Sequence, residues 1–463
     1  MKKRNGAMRF GRLTALALAM IVALGLTACS SDSSATTAAE NATEAQEETT
    51  APAVLETETA EGQNEEPGAV EPAYSLIQNV YNWGSNYSRI IIPVSDAASL
   101  DYLDADAYSV SVERFDGENN SLGAGERTVQ AVYRSDEAGN ESLEGNYVTL
   151  VMGVGASSTL ASPYYNLETG LKAWAVCDYT VENAVTGETW NQLDTVYHPD
   201  EEGFDTASFT DEASGITMSY ASYEPEGGAE GRPLIVWLHG FGSGGTDIGF
   251  VTGGMMVTNF ITDEIQDIFG GAYILLPQAE TMWMDAGDNT YSTDGSSIYA
   301  EPVMALIADF VENNPGIDPN RIYVGGCSNG GYLTMKLVLD NPDYFAAAFP
   351  VCEYYLDEWI TDEQIAEIAD LPLWFVHCQA DPSVDPTITS VPTYERLLAA
   401  GAENLHFSYY ESIVDPEYGN TYNGHNSWVY SLLNLCSTDF DGSPVTVDGN
   451  EVTLYEWLNL QSK

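Results

Sequence analysis

The sequence predicts an α/β protein, a mostly parallel sheet with flanking helices, preceded by a separate all-β sandwich. Two observations carry this. From residue 204 onward, apolar runs of strand length alternate with segments of helical spacing, as a parallel sheet requires. Between 73 and about 203, short alternating runs rich in Val, Thr and Tyr are separated by turn residues with no helical period, as half-buried strands require. The 463 residues suit two or three domains at roughly 100 to 200 residues each. With 44% apolar and 11% aromatic residues, the chain can bury cores despite its charge.

The first 28 residues hold Lys2, Lys3, Arg4, Arg9 and Arg12 with no acid, followed by an apolar run over 13–26. This is the pattern of a secretory signal peptide. It ends in Leu26-Thr27-Ala28-Cys29, which resembles a bacterial lipobox, so Cys29 is expected to become the lipidated N-terminus. The plainer alternative is a short signal anchor with an incidental cysteine. Beyond residue 28, ten basic residues face 70 acidic ones, within a formal net charge of -55 for the whole chain. Such a balance speaks against nucleic acid as a partner. No later apolar run reaches the eighteen or so residues needed to cross a bilayer. The expectation is therefore an extracytoplasmic protein held at the cell membrane by a lipid anchor. Residues 29–72, rich in Ser, Thr, Ala and Glu, cannot bury enough surface to offset chain entropy and read as a self-repelling tether.

In the 73–203 segment, Tyr108-Ser109-Val110-Ser111-Val112, residues 128–133 and Tyr147-Val148-Thr149-Leu150-Val151 are expected strands, with turns at Asp116-Gly117, Ala138-Gly139 and Thr186-Gly187. Their aromatics fit a core better than a sugar platform. The 204–463 segment supplies five apolar strands: Leu234 to Leu238, Tyr273 to Pro277, Ile322 to Gly325, Leu373 to His377 and Leu405 to Tyr409. Residues 332–339 and 362–368 have helical spacing between the third and fourth.

Gly326-Cys327-Ser328-Asn329-Gly330 stands directly after a strand and directly before a helix. This is the setting of a strained nucleophile elbow, in which side chains at the two flanking glycines would collide with neighbouring backbone. Ser328 needs a base oriented by a carboxylate, in the chain order Ser, acid, His. Five histidines exist. His198, His239 and His377 read as structural, which leaves His406, within a strand, and His425, in the polar loop Tyr422-Asn423-Gly424-His425-Asn426; His425 is preferred. Asp381, the first carboxylate past the fourth strand, is preferred to Asp385. The N–H of Asn329 and, from the His239-Gly240-Phe241 loop, that of Phe241 are the expected oxyanion donors. This chemistry calls for no cofactor and no metal.

The runs from Arg321 to Tyr332 and from Asn341 to Pro350, with Leu238-His239-Gly240, Pro277-Gln278 and Leu454-Tyr455-Glu456-Trp457-Leu458, resemble the prolyl-oligopeptidase-like predicted peptidases and esterases of the α/β-hydrolase fold. Gly145 to Leu150 is similar to the immunoglobulin-like domain that precedes some of them. The resemblance implies a serine hydrolase and covers nearly everything after the tether. Cys327 before the serine, Cys378 where glycine is frequent, and about twenty residues through Gly449 that look inserted are departures from the pattern.

Apart from Cys29, five cysteines leave an odd number in an oxidising compartment, so at least one is expected free. Cys327, Cys352 and Cys378 are expected at neighbouring strand ends about 4.8 Å apart. A Cys352–Cys378 bridge and buried thiols both fit. Asp285 to Asn289 and Asp439 to Gly442 carry carboxylates without calcium-loop spacing and read as solvated acidic loops. The functional expectation is a lipid-anchored serine hydrolase cleaving small-molecule or polysaccharide-linked carboxylic esters. A serine peptidase is the alternative of the same chemistry, and a non-catalytic glycan-binding lipoprotein is the alternative of another class.

Overall fold

The computed structural model describes residues 72–463 apart from 228–229. The expected signal peptide, Cys29 and the acidic tether lie outside the described residues. None of the described helices is long and apolar enough to cross a membrane.

The first domain is a sandwich of two sheets. Its strands are β1 (Ala73–Tyr81), β2 (Gly84–Pro93), β3 (Tyr108–Phe115), β4 (Ser121–Arg127), β5 (Val129–Ser135), β6 (Tyr147–Met152), β7 (Tyr164–Asn166), β8 (Lys172–Trp174), β9 (Val176–Asn183), β10 (Thr189–Trp190) and β11 (Gln192–Tyr197). One sheet has the order β11-β1-β2-β6-β5 and the other β10-β9-β3-β4, while β7 and β8 form a separate hairpin. Alternation decides which side chains turn inward. In β3, Tyr108, Val110 and Val112 are buried while Ser109 and Glu113 face water. Leu76, Ile90, Val148, Leu150 and Tyr179 of the same domain are buried as well.

The second domain is built on an eight-stranded sheet. It comprises β12 (Asp205–Thr210), β13 (Thr217–Tyr223), β14 (Arg232–Leu238), β15 (Tyr273–Gln278), β16 (Ile317–Cys327), β17 (Ala347–Val351), β18 (Leu373–Cys378) and β19 (Leu405–Tyr410), in the order β12-β13-β15-β14-β16-β17-β18-β19. From β15 to β19 every neighbouring pair is parallel, whereas β12 and β13 form an antiparallel edge.

Strand β14 shows why the sheet sits in the middle. Leu234, Val236 and Leu238 pack on one face with Val303, Ile307 and Leu337, and Ile235 and Trp237 on the other with Val251, Phe260 and Tyr455. All five strand side chains are fully buried, each stabilising the fold by about 1.5–3 kcal/mol. A strand apolar on both faces needs helices on both sides. Ala300–Asn313 and Asn329–Asp340 contribute to one layer, and Asp263–Phe269 and Leu454–Asn459 to the other.

Strands β12 and β13 are additional to those read from sequence, and β17 is the strand expected to end at Cys352. β12 is mostly exposed and polar, so it lacks the apolar run that marks a central strand. β17 is short and contains Pro350, a residue that argues against a central strand; its recorded pairing to β18 is confined to Ala348 and Val351.

Two further readings change. The bridge considered between Cys352 and Cys378 is absent: Cys177, Cys327, Cys352, Cys378 and Cys436 are all free, buried thiols. The loops at Asp285 and Asp439 are not simply solvated. Asp285 is buried and accepts the N–H groups of Gly287 and Asn289 and the hydroxyl of Thr281. Asp439 bonds the ring of His406 and accepts the N–H of Phe407. The inserted-looking stretch thereby closes over the last strand.

Candidate active site

Ser328 sits between the end of β16 and the helix Asn329–Asp340, with φ 57° and ψ -114°. This is a strained conformation for a residue with a side chain. It is held because the neighbours leave no alternative. A Cβ on Gly326 would come within 2.6 Å of the Leu238 carbonyl oxygen, and one on Gly330 within 1.9 Å. Strand β14 therefore lies directly against the turn, and the Ser328 N–H donates to the Val351 carbonyl of β17 at 2.9 Å.

The Ser328 Oγ lies 2.9 Å from His425 Nε2, and His425 Nδ1 lies 2.7 Å from Asp381 Oδ2. His425 occupies a helical turn, Gly424–Ser427, whose start is capped by the Asn423 side chain accepting the His425 N–H. Gly424 allows this turn to approach the acid: a Cβ there would meet the Ala380 carbonyl oxygen at 2.4 Å. The Trp428 ring meets the imidazole in a T-shaped contact, with centroids 5.4 Å apart.

Asp381 lies just beyond β18, where its Oδ1 accepts the N–H groups of Ser383 and Val384 at 2.8 and 3.0 Å. Its Oδ2 also lies 3.1 Å from His377 Nε2. Burial works to raise the Asp381 carboxyl, but the hydrogen bonds from His377 and His425 outweigh it and hold the group well below the usual carboxylate range. Asp385 is exposed and accepts a local turn N–H. His406 bonds Asp439 instead, at 3.0 Å.

Phe241 and Asn329 both open helical segments, where first-turn N–H groups lack intrahelical acceptors. A Cβ on Gly240 would stand 3.9 Å from Ser328 Cβ, so the Phe241 loop comes close beside the serine. His239 fixes that loop: its Nδ1–H donates to the Gly240 carbonyl at 2.7 Å and its Nε2 accepts the Ala279 N–H at 3.1 Å. Burial pushes its pKa down to about 4, so the ring stays neutral in this role. The Asn329 side chain accepts the Trp283 N–H at 2.6 Å, tying the serine's helix to the next loop.

The sandwich domain reaches this region twice. From the β7–β8 hairpin, Gly170 packs on the Phe241 ring, Lys172 Nζ donates to the Gly254 carbonyl at 3.2 Å, and Trp174 Nε1 donates to Asp247 at 2.6 Å. Burial pushes the Lys172 ammonium down to about 8. From the β1–β2 turn, Asn82 donates to Asp415 at 3.0 Å. Asp415 begins the segment leading to His425, and it also receives the Tyr422 hydroxyl and the N–H groups of Glu417 and Tyr418.

Cys352 Sγ, the Asp381 carboxylate and a His425 ring nitrogen lie within 4.8 Å of one another. Burial pushes the Cys352 thiol well up, which keeps its proton on and makes it a poor metal ligand. The other two are bonded to each other. Sequence reasoning thus brings Ser328, Asp381 and His425 to one place, but it misses His377, Ser390 and Glu353 behind them. An apolar strand end gave no sign that the His377 ring would turn toward Asp381.

The assembled geometry is a hydroxyl, an imidazole and an ionised carboxylate in series, on a sheet of this topology. Residues 73–193 match the esterase Ig-like N-terminal domain, and residues 225–417 match the phospholipase/carboxylesterase family. The chain is an α/β-hydrolase with an immunoglobulin-like esterase domain in front. Ser328 and Asp381 fall inside the second match and His425 just past it. A thermostable esterase structure shares the fold with a TM-score of 0.67 at 23% identity, covering 84% of this chain and 99% of that one. Poly(3-hydroxyalkanoate) depolymerase C of Paucimonas lemoignei is 30% identical over 87 residues, 17% of this chain. The chain spans 20% of the length of that curated relative.

Proposed function

We propose that this α/β-hydrolase is an exported, lipid-anchored serine esterase acting on carboxylic esters through an acyl-enzyme. The observation that carries the reading is the continuous chain from Ser328 Oγ through His425 to Asp381. As Ser328 Oγ bonds to the ester carbonyl carbon, its proton passes to His425 Nε2, and Asp381 stabilises the resulting imidazolium. The carbonyl oxygen becomes an oxyanion facing the N–H groups of Asn329 and Phe241. Collapse breaks the bond to the leaving alcohol, which takes the proton from His425. Water then repeats the sequence on the acyl-serine, releasing the acid and restoring Ser328. The phospholipase/carboxylesterase match supports an ester over an amide as substrate.

Ser328→Ala tests the chemistry. The variant should fold, hydrolyse no p-nitrophenyl acetate and take no label from a fluorophosphonate probe, and undiminished labelling would remove Ser328 from the role. Cys29→Ser tests the anchor: the protein should leave the membrane fraction, because acyl chains on Cys29 would be what holds it there. Retention would favour an uncleaved signal anchor.

A further inference from the structure

We propose that His377, Ser390 and Glu353 form a buried hydrogen-bond relay that positions Asp381, with a proton on Glu353 fixing which nitrogen of His377 carries hydrogen. The inference rests on the triad reading above and extends it one layer inward. His377 Nε2 lies 3.1 Å from Asp381 Oδ2, His377 Nδ1 lies 2.8 Å from Ser390 Oγ, and Ser390 Oγ lies 2.9 Å from Glu353 Oε1. Glu353 Oε2 accepts the Tyr355 N–H at 2.6 Å. His377, Ser390 and Glu353 are each at most 1% exposed.

Counting protons settles the directions. Ser328 donates to His425 Nε2, so His425 Nδ1 donates to Asp381, whose oxygens are all acceptors. His377 must then also donate to Asp381 from Nε2. A neutral His377 has a bare Nδ1, which takes the single hydroxyl proton of Ser390. The Ser390–Glu353 contact is then a hydrogen bond provided that Glu353 is the donor, as a carboxylic acid. The arrangement with an ionised Glu353 and a cationic His377 holds the same number of protons but separates two charges in a buried site, at high desolvation cost. Burial raises the Glu353 carboxyl well above its ordinary range and lowers His377, in agreement with the neutral arrangement. The other ionisable groups facing the relay are Asp357 near Glu353, and His425 and Cys352 near Asp381.

The relay has its own place in the fold. Cys352 has a φ of +36°, turning the chain sharply at the end of β17 just before Glu353. A Cβ on Gly331 would lie 2.7 Å from Glu353 Cβ, so the second glycine after the serine is what lets that helix rest on Glu353. Without the Glu353 proton, Ser390 would donate to a carboxylate and His377 would carry its hydrogen on Nδ1. A bare Nε2 would then face the Asp381 oxygen, repelling it from its place beside His425.

The experiment compares Glu353→Leu, Glu353→Gln and His377→Met with the wild-type full chain, using p-nitrophenyl acetate across pH and thermal unfolding. The amide of Gln accepts from Tyr355 and donates to Ser390 as the acid does. Glu353→Leu and His377→Met should each lower kcat by roughly ten- to a hundred-fold, the scale of one hydrogen bond to a charged group. In His377→Met the acid limb of kcat/KM should move up, because Asp381 then shares its charge with His425 alone. Glu353→Gln should restore kcat relative to Glu353→Leu. Unchanged kcat and limb in His377→Met, or a Gln variant as impaired as Leu, would overturn the relay.

Stability gives a readout independent of turnover. A Glu353 that stays protonated when folded but ionises when unfolded makes the wild type lose stability as pH rises above about 4.3. The Gln variant lacks that loss. Its Tm advantage over wild type should widen from pH 5 to 8, whereas a constant gap would mean an ionised Glu353 and refute the proposal. Ser328→Ala failing its own test would instead remove the triad reading while leaving this titration intact.

Discussion

Replacing Asp381 by Asn should stop catalysis while leaving the fold in place, and the structure dictates how. Oδ1 of Asp381 accepts two backbone N–H groups, from Ser383 and Val384, so the amide oxygen of Asn must take that position. The NH2 group is then forced into the place of Oδ2, facing His425 Nδ1 and His377 Nε2. It can donate to His425 there, but it cannot accept. His425 must therefore carry its hydrogen on Nε2, toward Ser328, and it can no longer take the serine proton. A wrong tautomer of this kind costs about 10⁴ in kcat, or about 5.5 kcal/mol of transition-state stabilisation. KM should change little, since Asp381 is buried away from any ester. Stability should fall at neutral pH, because the depressed Asp381 carboxyl contributes stability above its unfolded value of about 3.9 that is lost as pH drops. The Tm gap between variant and wild type should accordingly narrow below pH 4. Steady-state hydrolysis of p-nitrophenyl acetate and thermal unfolding across pH measure both effects. Activity within tenfold of wild type in a folded variant would refute the reasoning and point to another acid, with Asp385 first to be tried.

Two further outcomes separate mechanism from packing. His425→Ala should lower kcat by about 10⁴ or more. His406→Ala should lower Tm, through loss of the Asp439 bond and the contacts with Trp374 and Trp457, with activity per folded molecule unchanged; the reverse pattern would exchange the two assignments. Asp415→Ala leaves the Asn82 amide and the Tyr422 hydroxyl without their acceptor, at about 1–3 kcal/mol each. Both Tm and kcat should fall, and an unchanged kcat in a destabilised variant would show that the segment before His425 holds its place without Asp415.

The readable part of the sequence was the part governed by short-range rules. Strands β14 and β15 announce themselves because a strand buried on both faces cannot alternate, whereas the edge strand β19 keeps His406 and Tyr409 half-buried. The Gly-Cys-Ser-Asn-Gly run announces a tight strand-to-helix turn, and the structure shows both flanking glycines against the Leu238 carbonyl. Elimination among five histidines then led to His425, and position after a strand led to Asp381. Strand β17 shows in the sequence only as an expected strand end at Cys352, because Ala and Pro make it a poor strand by composition; it is held by β16 and β18 on either side. His377, Ser390 and Glu353 escaped for a different reason. They come from three separate segments, and a buried hydrogen-bond chain leaves no periodicity in any of them. Asp285 differs, since its partners Thr281, Gly287 and Asn289 lie within the same loop and only the turn that buries the carboxylate brings them to it.

The division of labour between sheet and sandwich follows from where each group stands. Ser328 and Asp381 stand at the ends of β16 and β18, so the sheet itself fixes them, through the bond from Ser328 to Val351 and the turn bonds beyond β18. Phe241 and His425 stand on loops that leave the sheet, and loops open more easily than strand ends. The sandwich makes contact on both of these sides, and Ser85 of β2 also donates to the Gly253 carbonyl at 2.7 Å. Gly170 and Trp174 press on the Phe241 side. On the His425 side Trp83 stacks on Tyr81, and Tyr418 meets both rings edge-on, above the Asn82–Asp415 bond. Both loops are thus held from two sides, by His239 and by the Ala380–Asp381 turn within the catalytic domain and by the sandwich from outside it. On the mechanism proposed above, an immunoglobulin-like domain placed against the loops that carry His425 and Phe241 has a route to affect turnover without touching substrate.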